Sequence, residues 1–306
     1  MGDASALHVM LYRPAPIQVT WLGYPNTTGV DCMDYRITDA VCDPVSTTQI
    51  YSEKLVRLPT YFICARPWST SEHGNGILDL QIKSPPILEN GYITFGSFNN
   101  MMKHSPRQMR TWGKVLLAIP NSRLLVRDKS FFWPFEADRW LQRFLKYAVD
   151  PNAAGFNFKT ISKLKQRILL RPSVPDHIAS IEMYNEMDVM LDSWPYNGTI
   201  TSTEAILMGV PLITMYLPGE ASCHSHNVGA SICHQVGLSD LVAASDQEFV
   251  EAACHLAADP NRIKELKECL RARALETISK KVPDTICREL EEAYRTMWQD
   301  FLACQC

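Results

Sequence analysis

The feature that most constrains the fold is a regular alternation of short apolar segments with amphipathic helical patterns, which begins after Gly91. Segments 92–97, 123–127 and 168–172 are rich in aliphatic and β-branched residues, and helical patterns separate them. Strands that alternate with helices form a parallel sheet covered by helices on both faces. The connections between such strands are right-handed. The pattern therefore predicts an α/β fold with a Rossmann-like lobe.

The same patterns predict the order of elements along the chain. After Gly91, strands are expected at 92–97, 123–127, 168–172, 188–192 and 211–217. Helices are expected at 106–119, 134–147, 177–187 and 201–208, and further helices close the chain, the last at 284–302. Before Gly91 the sequence predicts short strands at 18–23, 35–39 and 54–59, and segment 65–90 is typical of a linker or surface loop.

Residues 196–204 (YNGTITSTE) contain the most informative local pattern for a ligand site. A glycine turn follows a predicted strand, and hydroxyl side chains surround the start of the next helix. Free backbone N–H groups at a helix N-terminus bind phosphates. Glu204, inside the first turn, is placed to accept hydrogen bonds from a ribose. The alternative is a threonine N-cap on an ordinary helix.

Other polar loops are expected at the same edge of the sheet. Ligands of open parallel sheets bind at the carboxyl ends of the strands, which here are followed by loops 97–103, 172–177, 193–204 and 217–226. Lys103 is a cation that could neutralise a diphosphate there, or an ordinary surface lysine. The sequence shows no grouping of His, Asp, Glu or Cys at metal-ligand spacing.

Composition narrows the range of binding partners and of cellular compartments that suit this chain. The net charge of -3 and the pI near 6.2 give no overall basic signal for nucleic acid or membrane surfaces. No apolar run approaches the roughly 18 residues that span a bilayer. Ten cysteines occur without any Cys-x-x-Cys pair, which favours free thiols in a reducing compartment, the cytosol or the nucleus.

An ordered series of motifs resembles the catalytic region of O-GlcNAc transferases, and more closely that of the plant-type SPINDLY family of protein O-glycosyltransferases. The motifs are RPAPIQ at 13–18, WLGYPNTTG at 21–29, MDYRITD at 33–39, FGSFNN at 95–100, PNSRL at 120–124, PYNGT at 195–199, MGVP at 208–211 and HNVG at 226–229. The similarity extends from about residue 11 to residue 298.

This resemblance implies a GT-B-type glycosyltransferase. Residues 91–283 would form the Rossmann-like, nucleotide-sugar-binding C-terminal lobe. Residues 1–90 would be a remnant of the N-terminal catalytic lobe with a linker, and 284–306 a C-terminal helix. The family transfers one sugar from a nucleotide-sugar, UDP-GlcNAc or GDP-fucose, to Ser or Thr hydroxyls of intracellular proteins. No metal and no other cofactor are implied, and neither nucleic acid nor membrane is an expected partner.

The resemblance also assigns roles to residues of this chain. Lys103 matches the catalytic lysine that stabilises the diphosphate leaving group. The donor-binding positions are Asn100, Val174, Pro175, Asp176, His177, Thr199, Ile200, Thr201 and Glu204. Among these, 174–177 would contact the base, 199–201 the phosphates and Glu204 the ribose. Leu22, Gly23 and Pro25 match the wall of the sugar pocket.

The chain departs from the family pattern before Arg13. Family members carry TPR repeats and a complete N-terminal lobe ahead of the RPAP motif, whereas about a dozen residues precede it here. We therefore expect little protein glycosylation by the chain alone, with the N-terminal lobe or TPR region as missing partners. The alternative function is a non-catalytic module that binds nucleotide-sugars or acts as a scaffold.

Overall fold

The computed structural model describes residues 5–63, 76–149, 158–217 and 222–304. Its strands are β1 (Val19–Thr20), β2 (Tyr35–Asp39), β3 (Lys54–Leu58), β4 (Thr94–Ser97), β5 (Arg123–Asp128), β6 (Ile168–Pro172), β7 (Val189–Leu191), β8 (Leu212–Met215) and β9 (Val242–Ala243). Its helices are α1 (Ser5–Met10), α2 (Pro86–Asn90), α3 (Pro106–Ala118), α4 (Pro134–Ala148), α5 (Phe158–Lys165), α6 (His177–Glu182), α7 (Ile200–Leu207), α8 (His224–Gln235), α9 (Asp246–Ala258), α10 (Pro260–Ala274) and α11 (Lys281–Ala303).

The larger sheet is parallel and has six strands in the order β6-β5-β4-β7-β8-β9. Every residue of β4, β7 and β8 is buried, as expected for a sheet covered on both faces. The strand order reverses between β4 and β7, and ligands of doubly wound folds bind at such a switch point. The alternating pattern therefore predicted the correct sheet type, and the topology identifies where a ligand site is expected.

A smaller parallel sheet with the order β1-β2-β3 precedes the larger one. The last helix, α11, packs against it, so that Ile286 and Met297 form one apolar cluster with Ile37 and Leu58. The element most distant from the small sheet in sequence therefore covers it.

The small-sheet region also shares buried contacts with the large-sheet region. Cys42 and Phe62 belong to the same apolar core as the six-stranded sheet. Polar contacts reinforce this core: Asn227 Nδ2 donates to the carbonyl of Cys42 (2.8 Å), and Ser231 Oγ donates to Asp39 Oδ2 (2.7 Å). Helix α8 therefore fixes the position of the chain that follows β2.

Several predicted elements are shorter than expected, and two of them show why. The strand predicted at 18–23 ends at Thr20, because Leu22 adopts a left-handed conformation with φ of 57° that extended strands do not contain. The helix predicted at 177–187 ends at Glu182 and continues as a tighter turn of 3-10 geometry at Met183–Glu186.

The prediction of a linker at 65–90 is wrong for its second part. Residues 64–75 lie outside the described residues, but Ile77 and Leu80 are buried in the main core and Pro86–Asn90 forms α2. Gly91 ends that helix in the left-handed conformation, which glycine adopts without steric cost. No helix of the described residues is long and apolar enough to cross a bilayer.

Candidate functional site

An open cleft of about 240 Å³ lies beside the β4–β7 switch point, between the large-sheet loops and the segment after β1. Its lining residues are Leu22, Gly23, Tyr24, Pro25, Phe62, Lys103, Tyr196, Thr199, Ile200, Thr201, His224 and Val228. The structure therefore brings together seven of the residues predicted from sequence. The volume is below the roughly 300–1,000 Å³ of typical ligand pockets, so the cleft has room for part of a nucleotide-sugar.

Lys103 ends a 3-10 turn, Met101–Lys103, that follows β4. Its Nζ donates to the backbone carbonyl of Asn197 at 2.9 Å and lies 4.0 Å from the centroid of the Tyr196 ring. Burial lowers the pKa of Lys103, and the nearby Asp192 carboxylate opposes this shift. An ammonium group has three N–H donors, so the Asn197 contact leaves donors that can reach a phosphate.

Helix α7 presents an uncapped N-terminus to the cleft. Thr199 occupies the N-cap position, but its side chain makes no capping hydrogen bond. The Thr201 hydroxyl donates to Asn99 Oδ1 at 2.9 Å. Ile200, the first residue of α7, is 61% exposed, so the first turn of the helix is open to solvent. Free N–H groups and the positive end of the helix dipole make this terminus a suitable anion site.

A buried carboxylate holds the turn that leads into α7. Asp192 Oδ1 accepts the N–H of Gly198 at 2.8 Å, and its Oδ2 accepts the Thr214 hydroxyl at 2.8 Å. Burial raises the pKa of Asp192 to about 6. A Cβ at Gly198 would lie too close to the hydroxyls of Ser202 and Thr201, so a larger residue there would displace these side chains.

Glu204 does not line the cleft, and it lies in the second turn of α7 and not in the first turn as predicted, because the helix begins at Ile200. The Tyr184 hydroxyl lies 3.1 Å from Glu204 Oε2, and His177 Nε2 lies 3.5 Å from Oε1. Burial raises the pKa of Glu204, and the contacts with Tyr184 and His177 oppose this shift. The predicted ribose acid and the predicted base-side histidine are therefore neighbours, although 27 positions separate them in the numbering of the chain.

The remaining predicted donor residues do not line the cleft. Val174, Pro175 and Asp176 are exposed at the rim beyond β6, the edge strand, and Asp176 caps α6 by accepting the Ala179 N–H at 2.6 Å. Asn100 is also exposed, and its Oδ1 accepts the Met102 N–H at 2.9 Å.

The asparagine that contacts the cleft-lining Thr201 is Asn99, the neighbour of the predicted Asn100. Asn99 is buried, and its Oδ1 accepts the Thr201 hydroxyl. The sequence motif at 95–100 includes both asparagines, and only the tertiary structure distinguishes the buried one from the exposed one.

Four aromatic or imidazole side chains in the cleft wall were not assigned a role from sequence: Tyr24, Phe62, Tyr196 and His224. Tyr196 and His224 lie in loops that the sequence places at the strand ends. Phe62 comes from the small-sheet region, and no local pattern connects it to the ligand site.

A second cleft, of about 620 Å³, lies between the small sheet and the end of α11. Asp31, Asp34 and Asp300 line it, and Lys54, the cation in its wall, pairs with Asp300 at 3.1 Å. This excess of carboxylates disfavours a diphosphate. The smaller cleft at the switch point is therefore the better candidate for the donor site, despite its size. Within the described ranges, no group of three or more His, Cys, Asp or Glu side chains is arranged to hold a metal ion.

Comparison with known families agrees with the motif series. The family model for glycosyl transferase family 41 matches residues 5–73 and 69–280. The chain belongs to glycosyl transferase family 41.

Individual relatives cover nearly the whole chain. It is 42% identical to the probable UDP-N-acetylglucosamine–peptide N-acetylglucosaminyltransferase SPINDLY of Oryza sativa subsp. japonica, over 96% of this chain and 29% of the relative. It is 31% identical to the Arabidopsis thaliana protein SEC, described by the same enzyme name, over 95% of this chain and 27% of the relative. The chain therefore spans less than a third of the length of these relatives.

A solved structure supports the fold. The structure of a mutant O-GlcNAc transferase of Thermobaculum terrenum superposes with a TM-score of 0.80 at 30% identity, over 98% of this chain and 52% of the other. Together with the parallel sheets, this match confirms the predicted α/β fold of GT-B type and the resemblance to O-GlcNAc transferases and SPINDLY proteins.

Proposed function

We propose that this family 41 chain is the donor-binding catalytic region of a protein O-glycosyltransferase. It would transfer a sugar from UDP-GlcNAc or GDP-fucose to Ser or Thr hydroxyls of intracellular proteins. The observation that carries the proposal is the switch-point cleft, where the Lys103 ammonium, the uncapped start of α7 and the Leu22–Pro25 wall meet. Family membership supports the same assignment.

The proposed chemistry follows from the charge of the leaving group. As the bond between sugar and diphosphate breaks, negative charge grows on the phosphate oxygens. Lys103 and the N–H groups at the start of α7 provide fixed positive charge at that point. Because these groups are already held by Asn197 and by the Asp192-bound turn, little reorganisation accompanies the reaction. The proposal includes no metal and no cofactor.

Two nucleotide-sugars, UDP-GlcNAc and GDP-fucose, are candidates for the donor. The names of the plant relatives specify UDP-N-acetylglucosamine, whereas the motifs at 95–100 and 226–229 favour the SPINDLY type, for which the resemblance implies GDP-fucose. A thermal-shift comparison of UDP-GlcNAc with GDP-fucose tests this choice, because a ligand that binds the native state raises the melting temperature by mass action.

Calorimetric titration with UDP and GDP, combined with a sensitive sugar-transfer assay on peptides, tests the function itself. We expect one diphosphate to bind, with weak transfer or donor hydrolysis that Lys103→Ala abolishes. Binding without any Lys103-dependent turnover would favour the non-catalytic nucleotide-sugar-binding module. Absence of binding to either diphosphate would contradict both functions.

A further inference from the structure

His224 occupies an unusual position in the wall of the candidate site. It is the first residue of α8 and lines the cleft together with Lys103, Thr199 and Thr201. Its side chain is nevertheless almost completely enclosed, with a residue exposure of 1%. Burial of an imidazole at a ligand cleft costs free energy unless its nitrogens have hydrogen-bond partners. The partner of each ring nitrogen therefore decides what His224 can do.

Contacts from the small-sheet region fix the ring. His224 Nδ1 lies 2.7 Å from Asp43 Oδ2 and 3.3 Å from Thr38 Oγ1. The Phe62 ring packs edge-on against the imidazole, with 4.8 Å between centroids. The backbone N–H of His224 donates to Gln49 Oε1 at 3.1 Å. The imidazole is therefore held in one orientation by residues of the small-sheet region, which lie in β2 and in the loops around it.

The partner of Nδ1 determines the protonation of the ring. The Tyr51 and Thr38 hydroxyls donate to the Asp43 carboxylate. Burial alone would raise the pKa of Asp43, but the hydrogen bonds from His224, Thr38 and Tyr51 lower it below its usual value. An ionised carboxylate only accepts hydrogen bonds, so Nδ1 carries the proton.

The other nitrogen, Nε2, then has an available lone pair. Burial lowers the pKa of His224, and the bond to Asp43 opposes this shift, which favours the neutral ring. Among the described residues, Nε2 makes no hydrogen bond. It is also absent from the fully buried, unpartnered atoms of that set, so it retains contact with the open volume of the cleft.

The part of the donor that faces Nε2 is inferred from the proposed position of the donor and from the groups that line the cleft. In the proposed function the diphosphate lies beside Lys103 and the start of α7, the ribose lies near Glu204, and the base lies towards residues 174–177 at the rim. The rest of the cleft is enclosed by largely apolar groups, including Leu22, Phe62 and Val228. Such a wall suits the C–H surface of a sugar, while Nε2 supplies an acceptor for one hydroxyl.

Building on the proposed function, we propose that His224 Nε2 accepts a hydrogen bond from a hydroxyl of the donor sugar, and that Asp43 is the positioning residue that keeps this nitrogen unprotonated. The pair would therefore contribute to recognition of the sugar and not to binding of the nucleotide. A site built around a buried acceptor discriminates against ligands that lack the matching hydroxyl.

The test compares affinities for the nucleoside diphosphates UDP and GDP with those for UDP-GlcNAc and GDP-fucose, measured by calorimetry on the full chain. His224→Ala should weaken binding of the preferred nucleotide-sugar by at least about tenfold, the order expected for one hydrogen bond to a buried group. Binding of the corresponding diphosphate should change less than about twofold. His234→Ala, at the other end of α8 and outside the cleft, is the matched control.

Asp43→Asn is the second variant and tests the positioning role. The amide can donate to Nδ1, which moves the ring proton to Nε2 and removes the acceptor without removing a side chain. We expect the same selective loss of sugar binding, together with a change of tautomer in the ¹⁵N NMR spectrum of His224. His224→Gln, whose amide oxygen can accept a hydrogen bond, should restore part of the lost affinity.

The possible results distinguish failure of this inference from failure of the proposed function. Equal losses for the diphosphate and the nucleotide-sugar, or no loss for either, would overturn the role of His224 while leaving the proposed function intact. A sugar-specific loss in His224→Ala without one in Asp43→Asn would overturn the positioning role of Asp43. A wild-type chain that binds neither diphosphate would overturn the proposed function and this inference together.

Discussion

The ammonium group of Lys103 lies 2.9 Å from the backbone carbonyl oxygen of Asn197, and this contact joins the loop after β4 to the turn before α7. The two loops lie on adjacent strands at the point where the sheet order reverses. Asn197 is held in turn, because its Oδ1 accepts the Gly229 N–H at 3.0 Å and its Nδ2 donates to the Ser193 carbonyl at 2.7 Å. The cation is therefore positioned before a ligand arrives, which is the property that electrostatic catalysis requires.

Replacement of Lys103 by alanine should weaken diphosphate binding and reduce any transfer rate by orders of magnitude. Loss of a charge-assisted contact to the leaving group costs about 2–4 kcal/mol by analogy with other preorganised donors. Calorimetry with the bound diphosphate measures the effect, with Lys114→Ala on the exposed face of α3 as control. Wild-type affinity in the Lys103→Ala protein would refute the assignment.

The threonines at the start of α7 give a second prediction. Thr199→Val and Thr201→Val each remove a hydroxyl from the cleft wall with little change in volume, and we expect each to weaken diphosphate binding by about 0.5–1.5 kcal/mol. Thr296→Val on α11, whose hydroxyl bonds to its own helix, is the control. A ligand-bound structure with the phosphates remote from this helix start would contradict the prediction.

Asp39 should be important for stability. Its carboxylate accepts hydrogen bonds from the Cys42 and Phe62 backbones (2.7 and 3.1 Å) and from the Ser231 hydroxyl (2.7 Å). Asp39→Ala leaves these buried donors unpaired, at about 1–3 kcal/mol each. We expect urea denaturation to show a loss of at least about 2 kcal/mol. The exposed Asp240→Ala should lose less than about 1 kcal/mol, and similar losses in both variants would disprove the role of Asp39.

Stability should depend on pH through Asp192. Its folded-state pKa of about 6 lies above the unfolded value of about 3.9. The proton is therefore bound more tightly in the folded state, so the contribution of Asp192 to the free energy of unfolding is fully present below about pH 4 and is lost as the pH rises through 6.

Comparison with Asp192→Asn isolates this effect from that of Asp188, whose pKa burial also raises to about 6. The difference in unfolding free energy, wild type minus Asp192→Asn, should fall by about 2–3 kcal/mol between pH 4 and pH 7. Urea denaturation at the two pH values measures it, and a difference that does not change with pH would rule out the buried-carboxylate explanation.

Much of the fold was predictable because local patterns encode it. The alternation of apolar runs and helical patterns after Gly91 predicted the parallel sheet, since periodicity specifies which faces are buried. Helix α3 begins at Pro106 as predicted and ends at Ala118, one residue before the predicted end. The start of α7 could likewise be recognised from a glycine turn followed by hydroxyl residues, which are short-range signals.

Long-range contacts were not predictable from such patterns. The packing of α11 on the small sheet and the bond from His224 to Asp43, 181 residues apart, depend on chain segments that meet only in the folded molecule. The sequence also could not show which of two adjacent asparagines is buried: Asn99 contacts Thr201, whereas Asn100 caps an exposed turn. The sequence by itself determined the order of the strands and helices and which polar loops follow the strands, because these depend on local periodicity and capping. Only the tertiary structure showed that Phe62 and His224 join the predicted residues in the cleft wall and that Asn100 does not line it, because packing between distant segments determines which polar atoms are buried and which remain open.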